Sequence, residues 1–300
     1  MTTRSDGGRA AQSSCDRKCA AIRSYFSFCH DYFISKRALT LLEQRQAESN
    51  RNANLKRIAK LFVMRAQHGE TTFNTEELRE EELDQIEGKI NPASTINPFH
   101  SNAIRVRNYC IWRLMLATGA RRSEIVLLEL DDLTYGKRPT VTFRYPTVLA
   151  AGRRRDGASL KTRPRTLPIN ESLASLLETY VEDWRSTLVK PRHPSAALFL
   201  SARDGRRMSS GTLNTIFSVI GRGDEGGVQR KVHPHRLRTT AMNALSRRAR
   251  DPDGRVSPDF RDHLTYYAGW SPSSDMPLTY TREAISEVLG RLIRKTEKKS

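Results

Sequence analysis

Arg121, Glu124, Lys161, His235, Arg238, Trp270 and Tyr280 are the side chains whose types and order carry chemistry. Most fall in three short segments: Thr118-Gly119-Ala120-Arg121-Arg122-Ser123-Glu124, His235-Arg236-Leu237-Arg238, and the run from Gly269-Trp270 to Tyr280-Thr281-Arg282. Two arginines, a histidine, an indole donor and a phenol are equipment for attacking a phosphodiester with a side-chain oxygen. That reaction needs a nucleophile held in line with the leaving oxygen. It needs preorganised donors for the charge that develops on phosphorus, and a proton for the leaving sugar oxygen. Arginine meets the second need, because its planar fork binds two phosphate oxygens and stays charged. Lysine meets the third when neighbouring cations lower its pKa. Tyrosine can form the covalent ester.

Each residue also has an ordinary reading. Arg121 follows the helix-breaking Gly119, so its guanidinium projects from a turn, and Glu124 lies on the same face and can orient it. Alone, the segment is a capping turn with a surface ion pair. His235 and Arg238 sit at the start of a helix and can converge on one anion; alone, they belong to a basic DNA-contacting helix. Trp270 alone is a core residue and Tyr280 a surface or core tyrosine. Tyr266 and Tyr267, just before the tryptophan, read as helix packing. The joint occurrence in this order favours chemistry.

The order and wording of these segments resemble the tyrosine recombinase (phage integrase) family, over about residues 99 to 285. The resemblance implies that Arg121, His235, Arg238 and Trp270 hold the phosphate. Lys161, before a returning strand, protonates the leaving oxygen, and Tyr280 is the nucleophile. Arg153, Arg154, Arg155 and Arg163 would contact DNA. It implies a 3′-phosphotyrosyl intermediate, resealing without ATP, and no metal or other cofactor. The implied partners are double-stranded DNA, a tetramer of this chain on DNA passing through a Holliday junction, and accessory DNA-bending proteins. The chain departs from the pattern in three places. Trp270 stands where a histidine is usual, as in Cre-like members; an indole donates but cannot shuttle a proton. Thr239 stands where a second histidine often follows the second arginine. The gap from Trp270 to Tyr280 is one residue longer than expected and contains Pro272 and Pro277. Two readings stay open beside this one: a type IB topoisomerase or telomere resolvase using the same chemistry, and a non-catalytic DNA-binding protein derived from a recombinase. A basic helical RNA-binding protein is disfavoured, because no RNA-module aromatic motif appears.

Composition agrees with a polyanionic partner. The 300 residues carry a net charge of +18 and 37% hydrophobic residues, enough for a real core. Lysine and arginine bind phosphates by releasing counterions. No stretch approaches an apolar membrane span and the first residues lack a signal-peptide core, so a cytoplasmic protein is expected. Four cysteines do not suggest a disulfide framework. Cys15, Cys19, Ile22, Phe26, Cys29 and Phe33 recur at helical spacing, which favours a packed stripe over a metal site.

The elements that must position the site read as mainly α with a small antiparallel β-sheet. A flexible N-terminus covers 1–13, and a helical core-binding-like domain covers 14–72, with segments at Cys15–Phe33, Arg37–Gln46 and Leu55–Phe62. Arg51, Lys56, Arg57, Lys60 and Arg65 are expected on exposed faces. A linker covers 73–98, with Thr75 capping an acidic helix start. An α+β catalytic domain covers 99–283. Its helices are expected at Ile104–Ala117, Glu124–Leu130 (capped by Ser123), Glu171–Trp184, Thr212–Ile220, Arg238–Arg250 and Pro258–Gly269. Strands are expected at Thr140–Arg144, Arg165–Ile169 and Ala197–Leu200, with a basic tongue between the first two. An amphipathic helix closes the chain at 284–300, with docking onto a neighbouring protomer as one use.

Overall fold

The computed structural model describes residues 12–63, 77–146, 156, 158–190, 195–222, 232–249, 259–274 and 276–277, with side chains from residue 16 onward. The chain divides into two compact units, 1–74 and 75–300. Among the described residues, no helix is long and apolar enough to cross a membrane.

In the first unit, α1 (Gln12–Ser35) and α2 (Leu41–Val63) form a helical hairpin. Thr40 and Glu43 start α2 by a reciprocal cap: the Thr40 amide donates to Glu43 Oε2 at 2.8 Å and the Glu43 amide to Thr40 Oγ1 at 3.4 Å. Residues 37–46 are therefore no separate segment. They span the turn and the first part of one long helix. The half-buried stripe of α1 is Cys19, Phe26, Cys29, His30 and Ile34, rather than the one expected, since Ile22 and Phe33 are 45% and 60% exposed. A helix of 3.6 residues per turn rotates its face, and the His30 ring, bonded to the Ala47 carbonyl, fixes which face meets α2. Lys56, Arg57 and Lys60 are exposed, but Arg51 is half-buried and pairs with Asp31. Arg65 lies outside the described residues.

The second unit is built around α4 (Asn102–Thr118). Cys110, Ile111, Trp112, Leu114 and Met115 are all fully buried, and Arg107 and Asn108 are buried with them, so this helix runs through the core. Trp112 stacks on Phe217 and Tyr180 on Phe199, with ring centroids 6.2 and 5.6 Å apart. Truncating Trp112 to alanine would cost about 3–5 kcal/mol. Burial drives the Cys110 thiol far above its ordinary pKa, so it acts as a small hydrophobe.

Around α4 lie α3 (Glu80–Ile90), α5 (Arg122–Leu127), α6 (Glu171–Thr179), α7 (Arg185–Leu188), α8 (Ser210–Ile220), α9 (Pro234–Arg248) and α10 (Phe260–Ala268). A π turn at Tyr180–Trp184 joins α6 to α7. The sheet is antiparallel in the order β1 (Leu133–Thr134), β2 (Thr140–Phe143), β3 (Arg165–Pro168). Val141 faces Leu167 and Phe143 faces Arg165.

Three expectations change here. The 73–98 stretch is not merely a linker: Leu78, Ile86 and Ile90 enter the core of the second unit. Its helix starts at Glu80, after the Arg79 amide donates to Glu82; Thr75 lies outside the described residues. Residues 197–200 form no strand, only the single bridges Glu129–Ala197 and Leu200–Arg207. Arg185 and Arg107 take up the nearby carbonyls of Ala197, Leu198 and Leu200, leaving them no ladder to join.

Candidate active site

Gly119 ends α4 in the left-handed conformation, φ +57°. A Cβ there would meet Met242 Cε, the flexible end of that side chain, at 2.6 Å, so the left-handed backbone more than the space calls for glycine. The chain then turns through Ala120 to Arg121, the residue just before α5. The Arg121 amide donates to Glu124 Oε2 at 2.5 Å, which makes Arg121 rather than Ser123 the cap position; α5 ends at Leu127 rather than Leu130. Glu124 thus holds Arg121 by its main chain.

The same carboxylate collects two further segments. Arg165 donates to it twice, at 2.7 and 3.2 Å, and neither side chain of this ion pair is exposed. The Thr162 hydroxyl donates to Oε1, the oxygen that Arg165 Nη1 also reaches. Burial alone would raise the Glu124 pKa; the bonds and charge of Arg165, with Thr162 and the Arg121 amide, hold it below the usual carboxylate value. Arg165 Nε also reaches the Tyr267 carbonyl at 2.7 Å, and the Arg163 amide reaches the Gly269 carbonyl at 2.8 Å. The tongue is tied at its other side by Asp156, which accepts from the Ala158 and Ser210 amides, the latter at the start of α8. Lys161 lies exposed between these ties.

α9 supplies His235 and Arg238 from its first turns. His233 caps the helix, its Nδ1 accepting from the Arg236 amide at 3.2 Å, and Pro234 takes the first helical position. The helix therefore begins before Arg238, and both functional side chains lie on it. Arg238 is 3% exposed; its two Nη atoms donate to the Gly119 and Ala268 carbonyls at 2.6 and 3.1 Å. The His233 and His235 rings lie parallel, centroids 6.4 Å apart. More than a third of His235 remains open to solvent. Partial burial first, then the charges of Arg238 and Arg121, lower its pKa, which favours the neutral ring.

Trp270 is 6% exposed and packs in a small cluster with Met242, Phe260, Leu264 and Ala268. Arg238 Cζ lies 5.5 Å from the centre of its ring, a cation–π distance. Trp270 thus meets the site through Arg238. Tyr266 and Tyr267 are spoken for. The Tyr266 hydroxyl bonds the main chain of Thr166, and Tyr267 donates to the Ala117 carbonyl with its pKa pushed up to about 12, chiefly by burial. Tyr280, the basic residues Arg153, Arg154 and Arg155, and the helix expected at 284–300 lie outside the described residues. Arg163 is exposed.

Arg121, Lys161, His235 and Arg238, from three separate stretches of the sequence, line one cleft of about 370 Å³, with Arg122, Asp156, Ser210, Asn214 and His233. Its charges are Arg121, Arg122, Lys161 and Arg238 against Asp156, so it concentrates a positive field on any anion that enters. Two guanidiniums can hold a phosphate, a neutral imidazole can take or give a proton, and an ammonium can donate one. Sequence reasoning missed the groups that set this geometry, Thr162, Arg165 and Asp156. One signal was available: Arg165, Leu167 and Ile169 alternate onto one strand face, so an arginine shared an apolar face and required a buried acid.

The model of the phage integrase family matches residues 76–254, and the chain belongs to that family. Tyrosine recombinase XerD of Mycobacterium tuberculosis is 28% identical over 135 residues, 45% of this chain and 38% of that protein. XerD of Listeria monocytogenes is 24% identical over 156 residues, 52% of this chain and 45% of that protein. The matches span less than half the length of these curated relatives. Among solved structures, the Tn1549 transposon integrase in complex with a circular intermediate DNA superposes with a TM-score of 0.56 at 15% identity, covering 94% of this chain and 85% of that one. The XerH recombinase bound to palindromic difH substrate gives 0.53 at 19%, covering 75% and 55%. At such identities the likeness is one of fold.

Proposed function

We propose that this chain is a site-specific DNA recombinase of the tyrosine type. The observation that carries the reading is the positive cleft lined together by Arg121, Lys161, His235 and Arg238. In this reading the cleft takes the scissile phosphate of double-stranded DNA. Arg121 and Arg238 hold two of its oxygens and stabilise the charge of the pentacoordinate state. Tyr280 Oη bonds to phosphorus as the phosphorus–O5′ bond breaks. Neutral His235 takes the phenol proton, and Lys161 gives a proton to the leaving 5′ oxygen. The products are a 3′-phosphotyrosyl ester and a free 5′-hydroxyl. Because the ester keeps the bond energy, another strand's hydroxyl can reseal it. Trp270 steadies Arg238 through its ring face. The family membership, and the DNA in the structures of the XerH and Tn1549 neighbours, support DNA as substrate; four protomers on two sites is the assembly this reading implies.

Covalent capture tests this. Cells expressing the protein beside the gene's native flanking DNA are lysed in SDS, and DNA attached to the protein is sequenced. Adducts mapping to one short site, with recombinant junctions among the products, support a recombinase. Adducts with supercoil relaxation alone point to a topoisomerase. DNA binding without adducts sinks the catalytic reading.

A further inference from the structure

We propose that Thr162 positions the general acid: its bond to Glu124 sets Lys161 over the phosphate that Arg121 and Arg238 hold. The inference rests on the recombinase reading, in which Lys161 protonates the leaving oxygen.

Lys161 is exposed and projects from an irregular stretch, so no regular hydrogen-bond ladder fixes its main chain. A long flexible ammonium on a loose tongue would visit many positions, and general-acid catalysis requires one. The next residue supplies the constraint. Thr162 is 6% exposed, and its hydroxyl donates to Glu124 Oε1. Arg165 Nη1 lies 3.4 Å from the same hydroxyl and 2.7 Å from the same carboxylate oxygen, so the oxygen is gripped between two charged groups. The other oxygen of Glu124 accepts the Arg121 amide at 2.5 Å. Arg121 and Lys161 are therefore tied to one rigid carboxylate, each through a single bond at or beside its main chain. The adjoining Arg163 amide bonds the Gly269 carbonyl at 2.8 Å, next to Trp270. Thr162 fixes the acid relative to the first phosphate-holding arginine, and its neighbour fixes the tongue relative to the turn before the nucleophile segment.

Valine replaces the hydroxyl with a methyl of similar size, and serine restores the hydroxyl. The test uses two duplexes carrying the cleavage site mapped by covalent capture. One is ordinary; the other has sulfur in place of the scissile 5′ oxygen. A thiolate leaves without a proton, so the sulfur duplex bypasses the acid. Thr162→Val should cleave the ordinary duplex about 100-fold more slowly, as for a small misplacement of a reacting group. It should cleave the sulfur duplex within about threefold of wild type, as expected when only proton transfer is lost. Thr162→Ser should recover most of the ordinary rate. Lys161→Ala, run in parallel, should show the same rescue by sulfur.

Equal loss on both duplexes in Thr162→Val, with Lys161→Ala rescued, overturns the positioning role alone. A Lys161→Ala enzyme not rescued by sulfur overturns the acid role of Lys161, and the Thr162 proposal falls with it. Full activity of Thr162→Val on the ordinary duplex also overturns the proposal. A second readout needs no DNA: hydrogen exchange at residues 158–163 should speed up in Thr162→Val while α4 and α9 keep their protection. Unchanged exchange there would likewise overturn it.

Discussion

Glu124 and Arg165 lie 41 residues apart and form an ion pair with both side chains fully buried, Oε1 to Nη1 at 2.7 Å. Around that pair close the Arg121 turn, the Thr162 end of the tongue and the Tyr267–Gly269 turn. Three parts of the proposed site are held by one neutralised charge pair.

Removing one partner leaves the other charge buried and alone. Glu124→Gln should therefore destabilise the protein by about 3–5 kcal/mol in urea unfolding, while the double variant with Arg165→Met loses less. The sign with pH follows from the depressed Glu124 pKa. Its stabilisation is present above the unfolded carboxylate value and is lost as pH falls through the folded value. The stability of wild type should thus drop on acidification more steeply than that of Glu124→Gln. Parallel curves for the two proteins would refute the linkage.

Gly269 stands at φ +67°, and a Cβ there would lie 2.7 Å from Arg165 Nη1 and 2.9 Å from Thr162 Cβ. Gly269→Ala should cost at least about 1 kcal/mol from the left-handed backbone alone. It should also slow DNA cleavage by displacing the Arg165 side chain, with nonspecific DNA affinity intact. Cleavage at the wild-type rate would show that the Arg165 contacts do not matter to the site.

The lowered pKa of His235 places the acid limb of the cleavage profile below pH 6.5, since the neutral ring is the active form in this reading. Partial burial and the charges of Arg238 and Arg121 are the causes, in that order. Arg121→Gln should move the ring's midpoint back up, as read by NMR titration of the free protein. Because the folded pKa is depressed, this histidine makes the fold less stable as pH falls below its unfolded value. A midpoint that stays put in Arg121→Gln would remove Arg121 from the neighbourhood of the ring.

Arg238 spans two carbonyls, of Gly119 and Ala268, with separate nitrogens. Lysine cannot reproduce that fork. Arg238→Lys should lose about 100- to 1,000-fold in cleavage, the usual loss for one oxyanion donor. The salt dependence of DNA binding should change by about one phosphate contact or less. Cleavage within a few fold of wild type would mean that a point charge suffices.

Much of the site was legible because its signals are local. Gly119 announces a helix stop, and the segments around Arg121 and His235 carry their own turn chemistry, though the helix that carries His235 starts at Pro234 rather than at the expected Arg238. The alternation in Thr140–Phe143 and Arg165–Pro168 was likewise enough to place two strands. What stayed hidden depends on distant partners. Thr162 looks like part of a basic loop and Arg165 like a strand residue until Glu124 is brought to them, and Asp156 like part of the loop until Ser210 is. Ser123 has the preferred capping chemistry, yet Glu124 closed the turn two residues earlier by reaching the Arg121 amide. The Ala197–Leu200 run has strand composition, but its carbonyls are taken by arginine side chains. The Arg37–Gln46 segment straddles a turn that Thr40 and Glu43 define by their mutual bonds.

The most direct measurement is the identity of the tyrosine joined to DNA. Covalent complexes from the captured site are trimmed with nuclease and digested with trypsin, and the peptide bearing a nucleotide remnant is sequenced by mass spectrometry. The remnant should sit on Tyr280, and Tyr280→Phe should yield no adduct while still binding DNA. A remnant on another tyrosine, or adducts persisting in Tyr280→Phe, would mean that the cleft serves a different nucleophile.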